Sequence, residues 1–304
     1  MISIDIVSIL TTLFTEIDDW YKMNKDIYCK RTTGRPPQFS DSEMMTLMIA
    51  QDYIPYPGEL QYVEYMRANY LELFPKLLDQ SQYNRRARNL ARTVEMMRRS
   101  LLVELGVGME DTYIIDTKPL PVGGYTRGKS PRFFLDSANY GYCASRKMNY
   151  FGYKLVTLTT LDGIVVTYDL VPANTDERKA AEEVIDQIEN ASIIGDKGFI
   201  GADWQAKIEE ETGNQVITPK RKNQLIQHPE GVEKRLNHLR ERIESVFNEL
   251  QNTGRNLERL LAKTVSGLST RVTSKITSHL MKYKLRQKYQ IDVQTFKCSG
   301  DMAF

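Results

Sequence analysis

Thr112-Tyr113-Ile114-Ile115-Asp116-Thr117-Lys118-Pro119-Leu120 reads as an apolar strand with a carboxylate in its middle, and a charge placed there is costly unless something compensates it. Downstream, Tyr153 to Thr160 and Ile164 to Val171 are β-branched runs on either side of Leu161-Asp162-Gly163, a hairpin signal. Asn174 opens a helix expected to run to about Asn190, with Glu177 placed to complete a capping box. Ser192 to Asp196 is a short buried strand. Ala202 to Thr212 is a helix stopped by Gly213, and Gln215 to Pro219 is another strand. Val232 to Asn252 forms the last long helix.

Three strands followed by alternating helices and strands imply an α/β protein, a mixed sheet with helices on both faces. That order matches the ribonuclease-H-like fold, and only Lys220 to Gly231 separate the last strand from the last helix. Upstream the chain is helical. Ser40-Asp41-Ser42-Glu43 is a capping-box pattern, and Met44, Leu47 and Met48 supply an apolar face. Tyr83 to Gly106 reads as one helix, with Leu90, Val94, Met97, Leu101 and Leu105 at helical spacing. The expected organisation is a helical, DNA-binding domain over 1–108, a catalytic core over 109–252 and a short basic helical tail over 253–304.

Asp196 ends Ile193-Ile194-Gly195-Asp196, at the C-terminal edge of its strand, where α/β sheets bind ligands. Glu244 lies on the last helix beside the apolar face of Leu236, Leu239, Ile243, Phe247 and Leu250, four residues after Arg240. Each has a plainer reading, Asp196 as a turn former and Glu244 as half of a surface ion pair. The fold order joins them, because the middle of the first strand, the end of the fourth and the last helix meet at one point. Three converging carboxylates repel one another unless a hard divalent cation shares them. Oxygen ligands without His or Cys favour Mg²⁺ or Mn²⁺, and two such ions about 3.5–4 Å apart suit phosphoryl transfer.

Tyr113-Ile114-Ile115-Asp116, Ile194-Gly195-Asp196-Lys197-Gly198-Phe199 and Arg240-Glu241-Arg242-Ile243-Glu244-Ser245-Val246-Phe247 resemble the DDE transposases of bacterial insertion sequences. Tyr150 to Leu155, Leu170 to Asn174 and the Gly34-Arg35-Pro36-Pro37 segment add to the likeness, which covers about 110–252. The resemblance implies that Asp116, Asp196 and Glu244 bind metal. It also implies double-stranded DNA as partner (insertion-sequence ends and target) and a homodimer or larger assembly on it. Several related groups place a tyrosine, an arginine and a lysine around the glutamate. Arg240 fits the arginine step, while the other two fall on Asn237 and Gln251.

The 304 residues carry a net charge of +2, unevenly spread. Residues 1–80 hold 7 basic and 12 acidic side chains, residues 81–154 hold 13 and 6, and 255–288 has nine bases against Glu258. Such blocks attract a polyanion, or are solvated helix faces. Lys220-Arg221-Lys222 and the helix residues Arg85, Arg86 and Arg88 are the candidate phosphate contacts, with exposed basic surface as the alternative. Trp204 and Phe199 could stack on a base, but core packing fits them better. No apolar run reaches the roughly 20 residues of a membrane span. Met1 to Phe14 lacks a basic leader, and three scattered cysteines suggest neither disulfides nor zinc, so a cytoplasmic, nucleoid-associated setting is expected. Two other readings compete with a transposase: a metal-dependent nuclease of the same fold, and a non-catalytic DNA-binding regulator descended from a transposase.

Overall fold

The computed structural model describes residues 5–28, 37–54, 58–123, 134, 137–144, 146–221 and 228–293. It divides into two compact units, one of residues 1–101 with 252–304 and one of residues 102–251.

The first unit contains α1 (Ile6–Tyr28), α2 (Asp41–Ala50), α3 (Glu59–Asn69), most of α4 (Gln80–Glu104) and α8 (Val265–Tyr289). Ser40 and Glu43 form the reciprocal capping box at the start of α2. α8 is held against α2 by side-chain bonds: Tyr53 Oη donates to Ser278 O at 2.7 Å and Ser278 Oγ to Ile49 O at 2.6 Å. Sequence reading sets 253–304 apart as a basic tail, whereas the contacts build its helix into the same unit as the N-terminal helices. Charge explains the difference. Five of the nine bases in 255–288 pair with acids from the N-terminal block: Arg255 and Lys275 with Asp52, Arg271 with Glu59, and Lys284 and Lys288 with Glu16. Those bases are therefore internal partners rather than an open attractant for a polyanion.

The second unit is built on a six-stranded sheet of β1 (Thr112–Gly123), β2 (Asn139–Cys143), β3 (Met148–Thr160), β4 (Val165–Pro172), β5 (Ser192–Ile194) and β6 (Gln215–Ile217). β3 lies antiparallel to β1, and β4 pairs antiparallel with β3 around the turn at Gly163, whose φ of +87° suits glycine. β5 is parallel to β1, and β6 parallel to β5. The resulting order β4-β3-β1-β5-β6 is the ribonuclease-H-like arrangement. The short β2 pairs with the first residues of β3 and was not expected from sequence. Strand alternation sends Tyr113 and Ile115 into a core with Val156, Leu158 and the apolar face of α5 (Glu177–Ile185). Ile114, Asp116 and Lys118 alternate to the opposite face. There Lys118 meets α7 (Glu230–Asn252), with its Nζ 5.9 Å from the Phe247 ring centre and 3.1 Å from Gln251 Oε1.

α6 (Ala202–Thr212) ends at Gly213 with φ +70°. α5 is shorter than the expected 174–190 helix, because Asp176 rather than Asn174 is the N-cap, its side chain accepting from Arg178 N at 3.0 Å. Glu177 is thereby freed from the capping role that the sequence suggested.

Candidate active site

In the β1–β5 ladder the last pair is Ile114 with Ile194. Asp116 follows that pair by two residues on β1, and Asp196 follows it by two residues just past the end of β5, as the cap of the 3-10 turn Lys197–Phe199, so both carboxylates come from the same end of the ladder. Gly195 permits this path, since a Cβ there would lie 2.8 Å from the Phe199 ring and 3.3 Å from Ile115 Cγ2. α7 supplies Arg240 and Glu244, one turn apart. Together with Lys118, Tyr150, Lys154 and Glu177, these residues line one cavity of about 440 Å³.

Asp196 does two jobs. Its Oδ1 accepts from Gly198 N at 2.6 Å and caps the 3-10 turn Lys197–Phe199, while Oδ2 stands 4.0 Å from Arg240 Nη2. The plain reading of Asp196 as a turn former is thus true of one oxygen and leaves the other facing the cavity. Asp116 accepts from Thr117 N at 2.7 Å. Burial pushes its carboxyl up to about 7, the charges of Asp196 and Glu177 add to this, and the Thr117 N–H and Arg240 oppose it. Glu177 is raised too, first by burial and then by Asp196. Arg240 Nε and Tyr150 Oη are buried without hydrogen-bond partners. Four acidic side chains, Asp116, Glu177, Asp196 and Glu244, and four basic ones, Lys118, Arg146, Lys154 and Arg240, line the cavity, with Cys143 beside them. The carboxylate oxygens suit a hard divalent cation. Among the described residues, no three acidic, histidine or cysteine side chains are gathered as ligands of one ion. The carboxylates line the cavity walls instead.

Glu241 lies outside this cavity, exposed, 3.3 Å from His238. Lys220 and Arg221 do not line it either. Arg221 Nη2 donates to Lys197 O at 3.3 Å, Lys220 N–H donates to Glu233, and Lys222 lies outside the described residues. Arg85 and Arg88 are exposed on α4, whereas Arg86 is drawn 2.6 Å from Asp41. Trp204 packs beside Phe199 against the core and donates to Glu182, which occupies it structurally. At the step where related groups carry lysine, Gln251 accepts from Lys118. Sequence reading missed Glu177, Lys118 and Lys154. The available signal was position: Lys118 shares a strand face with Asp116, and Glu177 follows the hairpin's second strand at the same sheet edge.

Fold and cavity define a ribonuclease-H-like α/β protein with a carboxylate-lined site. The transposase DDE domain family matches residues 108–281, more than half of the chain, and the chain belongs to that family. Its general function is that of a transposase. A comparison with curated proteins finds no match. A solved structure, a pre-cleavage Mos1 transpososome, aligns at 12% identity over 80% of this chain and 85% of that one. Its TM-score of 0.20 is too low to carry an argument. No described helix is long and apolar enough to cross a membrane.

Proposed function

We propose that this chain cuts DNA at the ends of an insertion sequence and joins the freed strand to target DNA, with Mg²⁺ or Mn²⁺ held by Asp116, Asp196 and Glu244. The observation that carries this reading is that Asp116 on β1, Asp196 just past β5 and Glu244 on α7 line one cavity. Bound there, a pair of divalent ions would activate the attacking oxygen and stabilise the leaving one. The chain's own part is positioning. Asp196 is fixed by the Gly198 N–H, and Asp116 by its strand. Arg240, with a buried Nε that lacks a partner, offers a donor to a non-bridging phosphate oxygen. Lys220, Arg221 and Lys222, together with Arg85 and Arg88, are proposed to hold the duplex by its phosphates. Arg86 would contribute only if it left Asp41. The assembly on DNA would be a homodimer or larger.

The test is Asp196→Asn, which keeps shape and removes charge. Cleavage and joining of a labelled terminal-repeat duplex in Mg²⁺ or Mn²⁺ should fall on the order of a thousandfold or more. Duplex affinity, set mainly by basic residues, should hold and should weaken steeply with salt. Wild-type protein that cuts but never joins would establish the nuclease instead. Wild-type protein that binds the correct ends and does not cut would establish the regulator.

A further inference from the structure

Glu177 belongs to no part of the expected triad, yet it stands in the same cavity as Asp116, Asp196 and Glu244. It begins α5, directly after the Asp176 cap, so the helix fixes its backbone. Its Oε1 lies 3.4 Å from Thr117 Oγ1, on the strand that carries Asp116. Its Oε2 and Asp196 Oδ1 crowd the same point above Gly198. A Cβ built at Gly198 would lie 1.8 Å from the first oxygen and 2.8 Å from the second. The nearby cation does not neutralise it by a bond, since Lys154 Nζ is turned to Thr175 O at 2.8 Å. A second observation concerns the same wall. Tyr150 lines the cavity, is 2% exposed, and its hydroxyl has no partner. A buried hydroxyl and a half-buried carboxylate left without a bonded cation describe a wall shaped for a polar, positively charged guest.

We propose that Glu177 is a fourth carboxylate ligand of the divalent-ion site, supplying an oxygen from the α5 wall beside Asp116 and Asp196. The Tyr150 hydroxyl stands ready to bond the water or phosphate oxygen that accompanies the ion. This rests on the ion-binding part of the proposed function and extends it from three carboxylates to four.

The experiment is Mn²⁺ titration of the metal-free full-length protein, followed by the electron paramagnetic resonance of the free ion, together with thermal melting without metal. Wild type, Asp196→Asn, Glu177→Gln and the exposed control Glu183→Gln are compared. Glu177→Gln should weaken Mn²⁺ binding about tenfold or more. It should melt, metal-free, at or above the wild-type temperature, because it removes a repelling charge while keeping a group for Thr117. Glu183→Gln should match wild type in both. A Glu177→Gln affinity within about twofold of wild type, while Asp196→Asn has lost binding, overturns the role of Glu177 and leaves the ion site standing. Wild type that takes up no Mn²⁺ overturns both. Should Glu177→Gln fail to fold, Glu177→Asp decides. It retains the charge and should bind Mn²⁺ more weakly than wild type, and unchanged affinity overturns the proposal.

Discussion

Asp52, buried in the helical unit, and Asp116, half-buried on β1, are acidic side chains that the chain treats in opposite ways. Asp52 is 3% exposed, with Arg255 bonded to both of its oxygens and Lys275 Nζ at 3.1 Å. Burial alone would raise its carboxyl, but the two cations overcome this and hold it below the ordinary range. Asp116 has one backbone N–H and a more distant arginine, with two other carboxylates nearby, and it is raised to about 7. A compensated buried charge belongs to the architecture, because both partners came with the chain. An uncompensated one at a cavity edge awaits a partner from outside.

Stability measurements put the largest strain on this contrast. Arg255→Met removes the guanidinium from Asp52 and from the Met48 carbonyl it also bonds. Removing one member of a buried pair should cost about 3–5 kcal/mol in urea unfolding. Asp116→Asn should do the reverse and leave the metal-free protein as stable as wild type or more so, since it removes a charge that burial and its neighbours disfavour. If Asp116→Asn destabilised as strongly as Arg255→Met, Asp116 would be a structural charge with an internal partner, and the contrast would fail.

A smaller effect sharpens the cavity side. In Gly198→Ala the new methyl would meet the ends of two side chains rather than backbone, so Glu177 and Asp196 can swing away. The loss of stability should stay below about 1 kcal/mol. Mn²⁺ affinity should fall clearly, because the displaced groups are those proposed to hold the ion. A variant that lost stability by several kcal/mol with unchanged Mn²⁺ binding would show that Gly198 serves the turn and not the carboxylates.

The same contrast explains what could be read from sequence. The sheet was legible because its strands are β-branched runs broken by Gly163 and Gly213, both at positive φ. Asp116, Asp196 and Glu244 could be singled out because the expected strand order brings their elements together, and all three line one cavity. β2 escaped because Asn139-Tyr140-Gly141-Tyr142-Cys143 lacks β-branched residues and pairs with one strand only. Glu177 escaped because a glutamate three residues after Asn174 looks like a capping box, and only the structure moves the cap to Asp176. The basic C-terminal block was misleading for a physical reason. Arg255 and Lys275 find their acids more than 200 residues away in sequence, and no local pattern records such a pairing.

Glu16 gives the finest test, because it is a second compensated carboxylate whose protonation can be followed without mutating its partners. Its side chain is 5% exposed and faces Lys284, Lys288 and Tyr289. Burial raises its carboxyl, but the bonds from those three groups outweigh it and set the value at about 2, against 4.5 ordinarily. A folded value below the unfolded one means that the unfolded chain binds the proton more tightly. The stabilisation is therefore complete above about 4.5 and drains away as pH falls towards about 2. Glu16→Gln should cost stability at neutral pH and narrow its gap from wild type through that window, with the two curves meeting near pH 2. Parallel curves for mutant and wild type would mean that Glu16 keeps no ion pair in solution, and the pairing of C-terminal bases with N-terminal acids would then rest on Asp52 and Glu59.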